Sequence, residues 1–150
     1  MFDVQGSKWS IATMRTHVEF RSDAFAAEPG EEEKINPGRW GIALARYLRS
    51  ELNARGFSGG EPFFEDWGCC IPIDNDAFSL WVGCGNYEEY PDGFLGFIEP
   101  SKPTIRKLWR KIVTSERIEA VAKAIDAALR ANPSIREIRW WTPNEGGAIK

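Results

Sequence analysis

The clearest pattern in the chain is a strict alternation from Met14 to Arg21. Met14, Thr16, Val18 and Phe20 fall on one side, and Arg15, His17, Glu19 and Arg21 on the other. A period of two sends successive side chains to opposite faces, so this segment predicts a half-buried β-strand. Residues 1–11 show no clean period; residues 1–13 are read as a loose N-terminal extension, with Met14 as an alternative start. Residues 22–36 mix acids with Pro and Gly and are expected as a loop. From Asn36 to Gly56 the period becomes helical, with Trp40, Leu44, Tyr47, Leu48 and Leu52 in one stripe. Asn36 can cap that helix, Pro37 suits its first turn, and Gly56 supplies a left-handed stop.

Three strands are expected near 62–73, 77–85 and 93–98. In residues 101–113 the positions of Ile105, Leu108, Trp109 and Ile112 suggest a short helix or turn. A second long helix follows, capped by Thr114 or Ser115 and ended by Pro133, with Ile118, Val121, Ala122, Ile125, Ala128 and Leu129 as its stripe. Residues 134–141 close the chain as a strand. The order β-α-β-β-β-(short α)-α-β predicts one α+β domain. It is a two-layer sandwich: a largely antiparallel sheet of about five strands, with two main helices on one face and the other face open.

The central hairpin can be read in more detail. A two- or four-residue loop at Asp74–Ala77 pairs Ile73 with Phe78, Ile71 with Leu80, Cys69 with Val82 and Trp67 with Cys84, all on an apolar core face. The opposite face then carries Pro72 with Ser79, Cys70 with Trp81, Gly68 with Gly83 and Asp66 with Gly85. Glycine within a strand often marks close approach of another group, so these glycines read as a patch of bare backbone bordered by Asp66, Cys70 and Trp81. Glu65 is placed at the core rim opposite Asn86, and Phe63 in the core.

Composition changes this picture in one respect. At 43% apolar and 27% charged the chain is ordinary for a globular domain, but it holds seven tryptophans, more than one small core readily encloses. Some are expected on a surface used for binding. The net charge of −3 gives no whole-molecule electrostatic case for nucleic acid or an anionic membrane. No stretch approaches the roughly 20 apolar residues of a membrane span. Three cysteines without an export signal read as thiols in a reducing compartment, so a cytoplasmic location is expected.

Candidate chemistry is thin. Glu65 and Asp66 are split by the pleat and cannot act as a carboxylate pair; Asp66 reads as a solvated edge carboxylate before a cation or hydroxyl site. Cys69 and Cys84 are placed diagonally and read as buried apolar groups, while Cys70 has no basic neighbour to activate it. His17, the only histidine, points away from the core and needs no role there. One histidine and no CxxC spacing make a structural zinc site improbable, and no cofactor is implied. GxGxxG, GxSxG and HExxH are absent. The cations at Lys102, Arg106, Lys107, Arg110 and Lys111 around Trp109 read as a solvated face before an RNA site. Of Trp140 and Trp141, one is expected to bury beside Ile138 and Trp141 to stand on the open face.

The expectation is therefore a non-enzymatic interaction domain of accessory or immunity type. Its open face, bearing Trp81, Trp141 and the glycine patch, would bind a protein partner or a second copy. The alternative is a small-molecule site or small enzyme at the end of the central hairpin, using Asp66, Cys70, Trp81, Asn86 and Tyr90 around a concave pocket.

Overall fold

A computed structural model describes residues 14–87 and 89–145; the extension expected at 1–13 lies outside the described residues. In chain order the elements are β1 (His17–Ser22), α1 (Glu31–Lys34), α2 (Ile42–Ala54), β2 (Phe63–Glu65), β3 (Gly68–Ile73), β4 (Leu80–Tyr87), β5 (Tyr90–Glu99), β6 (Thr104–Lys107), β7 (Arg110–Val113), α3 (Ser115–Arg130) and β8 (Ile135–Trp141). Six strands form one antiparallel sheet in the order β2-β3-β4-β5-β1-β8, and β6 and β7 form a separate two-stranded ribbon. Helices α2 and α3 pack together on one sheet face, α2 over β3 and β4 and α3 over β5 and β8. The chain thus adopts the α+β two-layer arrangement.

The periods explain the core. Both helical stripes are buried: Leu44, Leu48 and Leu52 from α2, and Ile118, Val121, Ala122, Ile125, Ala128 and Leu129 from α3. They meet Val18, Phe20, Ile71, Val82, Phe94 and Ile98 from the sheet, where each fully buried Leu or Ile contributes about 1.5–3 kcal/mol. The stop of α2 falls at Gly56 (φ 95°), where Gly56 N–H bonds Asn53 O and Phe57 N–H bonds Leu52 O, closing a Schellman motif.

Four expectations need correction. First, the strand expected at 62–73 is a hairpin. Glu65 pairs with Gly68 across a two-residue turn, Asp66-Trp67, and Phe63 pairs with Cys70. The reversal changes the parity, so Phe64 packs on the core while Phe63 stands on the open side, 45% exposed. Gly68 permits the turn: a Cβ there would lie 2.2 Å from Cys84 O. Second, β3 and β4 are joined by residues 74–79 and pair two residues out of the expected register, with Ile73 opposite Leu80 and Cys69 opposite Cys84. A shift of two keeps every β3 and β4 side chain on its expected face.

Third, α2 begins at Ile42, because Asn36–Arg39 forms a turn closed by Arg39 N–H to Asn36 O, and the loop expected at 22–36 contains α1. The N-terminus of α2 has no cap from its own N-cap residue, Gly41. Buried Glu31 supplies one: its carboxylate accepts from Gly41 N–H and Ile42 N–H at 2.7 Å each and from Glu28 N–H at 2.9 Å. Fourth, residues 104–113 are the β6–β7 ribbon instead of a short helix, turning at Leu108-Trp109.

Candidate functional site on the open sheet face

The face away from the helices is built by the pleat. Cross-strand register lines up Cys70, Gly83, Phe97, His17 and Trp141 in one row running from β3 through β4, β5 and β1 to β8. Gly83 makes room for its neighbour: a Cβ there would lie 2.4 Å from Cζ of Phe97, so the ring rests on bare β4 backbone. Trp67, carried over the face by the β2–β3 turn, brings its carbonyl within 3.0 Å of where a Cβ of Gly85 would stand. The glycine patch expected as open floor is therefore occupied by the chain's own Phe97 and Trp67.

These rings touch in sequence. Trp81 stacks on Trp67 at 6.1 Å between centroids, Trp67 and Trp81 meet Phe97 at 5.1 and 5.7 Å, His17 stacks on Phe97 at 5.6 Å, and Trp141 lies 5.1 Å from His17. The ladder spans most of the sheet. Its ends differ: Trp81 is half-buried, whereas Trp141 is 5% exposed and its indole Nε1 has no hydrogen-bond partner. Trp140, on the helix side as its alternation requires, donates its indole N–H to Asp126 at 2.9 Å.

Beside the ladder lie three concavities. One of about 510 Å³ is bounded by Phe63, Glu65, Cys70, Pro72 and Trp81. A second of about 300 Å³ lies between Arg39, Tyr87, Glu89, Leu95 and Phe97. A third of about 240 Å³ is framed by Glu19, Arg21, Tyr90 and Arg139. Trp67 lines both the first and the second, and Tyr87 both the second and the third, so they follow one another across the sheet from β2 to β8.

No family model matches this chain, and neither a curated protein nor a solved structure matches it either.

The expected site residues separate on this surface. Asp66 is an exposed turn residue whose carbonyl accepts from Asn36 Nδ2 at 2.8 Å, and it lines none of the three concavities. Asn86 lines the central concavity, but it is buried and its side chain is engaged: Oδ1 accepts from Trp40 N–H at 2.9 Å and Nδ2 donates to Gly38 O at 3.0 Å, holding the turn before α2. It does not satisfy Glu65, which is exposed. Cys70 and Trp81 line the first concavity, and Tyr90 the third, where the Arg21 guanidinium lies 4.8 Å from its ring. Sequence reasoning missed Trp67, Leu95, Phe97 and Arg39. The strand glycines were the available signal, since they marked where something approaches the backbone.

Electrostatics restrict what the face can do chemically. Burial pushes the Cys70 thiol up to about 11, with Glu65 adding to the effect, and Cys69 up to about 12; Cys84 is also raised well above its ordinary range by burial. All three stay protonated thiols at neutral pH. His17 is lowered by burial between its two rings, and its Nδ1 lies 2.9 Å from Thr16 Oγ1. The phenol of Tyr87 is raised by burial and by Glu19, to which it donates a hydrogen bond of 3.3 Å. Asp92 is held below the usual carboxylate range by the hydrogen bonds of Arg21 and by the nearby Arg136. Among the described residues no three His, Cys, Asp or Glu side chains gather as a metal site, and no helix is long and apolar enough to cross a membrane.

Proposed function

We propose that this domain binds an extended polypeptide segment, from a partner or from a second copy of the chain, along the trough on its open sheet face, and that it performs no chemistry there. The observation that carries this reading is the succession of three concavities across the sheet with shared walls at Trp67 and Tyr87. Aromatic side chains offer large contact area at low entropic cost, and alternate pockets are how a groove reads alternate side chains of an extended chain. Protonated thiols and a histidine wedged between rings support binding over catalysis.

Peptides selected from a random library on the immobilised protein test it. Selected peptides should shift the amide resonances of Trp81, Leu95 and Tyr90 together, and Trp81→Ser with Leu95→Lys should weaken them at least tenfold while the fold persists. Sedimentation of the free protein tells whether a second copy is the occupant. Shifts confined to the helix side would sink the reading.

A second reading rests on the central concavity alone. At about 300 Å³, with Phe97, Trp67 and Tyr87 as walls and Arg39 and Glu89 at its side, it is of a size for a small ligand carrying both an apolar ring and charge. Fragment binding that perturbs only Leu95, Phe97 and Arg39 would favour it.

A further inference from the structure

The β6–β7 ribbon carries features that the rest of the fold does not use. At its tip Leu108 and Trp109 are adjacent and 82% and 83% exposed. Leu108 holds φ 61°, a left-handed conformation at a hairpin position where glycine is usual, although its side chain is not buried against the fold. Behind the tip, Lys107 faces Arg110 and Arg106 faces Lys111. Like charges directly opposed across two strands disfavour the hairpin, and alternation puts one such pair on each side of the ribbon. Among the described residues none of these four cations forms an ion pair; Asp76 shares a concavity with the ribbon but bonds to none of them.

An apolar apex encircled by unpaired cations complements a surface that is apolar below and anionic above. We propose that the β6–β7 ribbon docks the protein on an anionic lipid bilayer, with Leu108 and Trp109 entering the interface and Arg106, Lys107, Arg110 and Lys111 meeting the headgroups. Tryptophan and leucine both gain at that boundary, and juxtaposed cations add to it. A single-stranded nucleic acid is instead bound by successive aromatic platforms in a basic groove, whereas this tip presents a single ring, Trp109. The net charge of −3 acts against the docking, but charges more than the screening length of about 8 Å from the bilayer contribute little at physiological salt. Ile105 and Ile112 pack the ribbon's base on the core, and the tip stands three residues, about 10 Å, beyond them.

Co-sedimentation of the full chain with vesicles tests this. Vesicles of phosphatidylcholine with about 30% phosphatidylserine should bind the protein, and pure phosphatidylcholine should bind at least about tenfold more weakly. Lys107→Gln and Arg110→Gln should each weaken binding about fivefold. Trp109→Ser should weaken it and abolish the blue shift of tryptophan fluorescence on binding, with thermal unfolding unchanged in every variant. Equal binding to both vesicle types, no binding to either, or indifference to these substitutions overturns the proposal. So does tighter binding of labelled poly-uridylate lost in the same variants, which would assign the ribbon to nucleic acid.

Discussion

A glycine and a histidine set the character of the open face. Gly83 exists to be covered: a Cβ there would lie only 2.4 Å from Phe97 Cζ, so its absence makes room for the ring, and Phe97 in turn supplies one wall for His17. The imidazole therefore sits where protonation is disfavoured by burial. The unfolded chain takes up that proton near the ordinary value of about 6.5, while the folded protein takes it up only at lower pH. Folding stability is then complete above about pH 6.5 and falls as the pH drops from there through the folded-state value, because the unfolded state binds more protons in that window. Urea unfolding followed from pH 7.5 to 5 should show a steeper loss for wild type than for His17→Phe, which keeps the ring but cannot titrate. Parallel curves for the two proteins would mean that His17 is solvated in solution.

At the scale of elements, the least ordinary device is the loan of a cap between helices. Gly41 must be glycine because a Cβ would sit 2.5 Å from Cys84 O, so it cannot cap α2 itself, and Glu31 reaches across to accept from the Gly41 and Ile42 amides. A carboxylate at a helix N-terminus also opposes the helix dipole favourably. Glu31→Ala leaves buried donors without partners and should cost about 3 kcal/mol or more in urea unfolding, with Glu31→Gln intermediate because one oxygen remains. A loss below about 1 kcal/mol for the alanine variant would mean that water replaces the cap.

Here too lies the boundary of what the sequence could disclose. The two long helices, β1 and the apolar face of β3 and β4 were legible because period and face are local properties. The 63–70 hairpin was hidden because Asp66-Trp67 lacks the usual turn dipeptides and its permissive glycine, Gly68, comes one residue after them. Glu31 was illegible as a cap, since its partners lie ten and eleven residues on. The aromatic ladder needed the strand order: Phe97, His17 and Trp141 are neighbours only because β1 inserts between β5 and β8. The ribbon was misread because Ile105, Leu108, Trp109 and Ile112 fit a helical spacing, although two of the four are exposed at the turn.

Across the whole molecule, stability divides unevenly between the sandwich and the ribbon. The six-stranded sheet and its helices enclose the core, whereas among the described residues β6 and β7 contribute to it just Ile105 and Ile112. An isolated two-stranded ribbon is marginal in water, and two opposed cation pairs weaken this one further. Its amides should therefore exchange with solvent by local opening, while those of β4, β5 and β1 wait for global unfolding. Lys107→Glu separates these two levels. It replaces one repulsive pair by an attractive one opposite Arg110, a gain of about 0.2–1 kcal/mol that acts on the ribbon alone. Hydrogen exchange should slow across residues 104–113 and stay the same in the central strands, with the urea midpoint of the whole protein unchanged. If exchange slows everywhere in proportion, the ribbon unfolds with the sandwich, and its exposed tip is part of one cooperative unit.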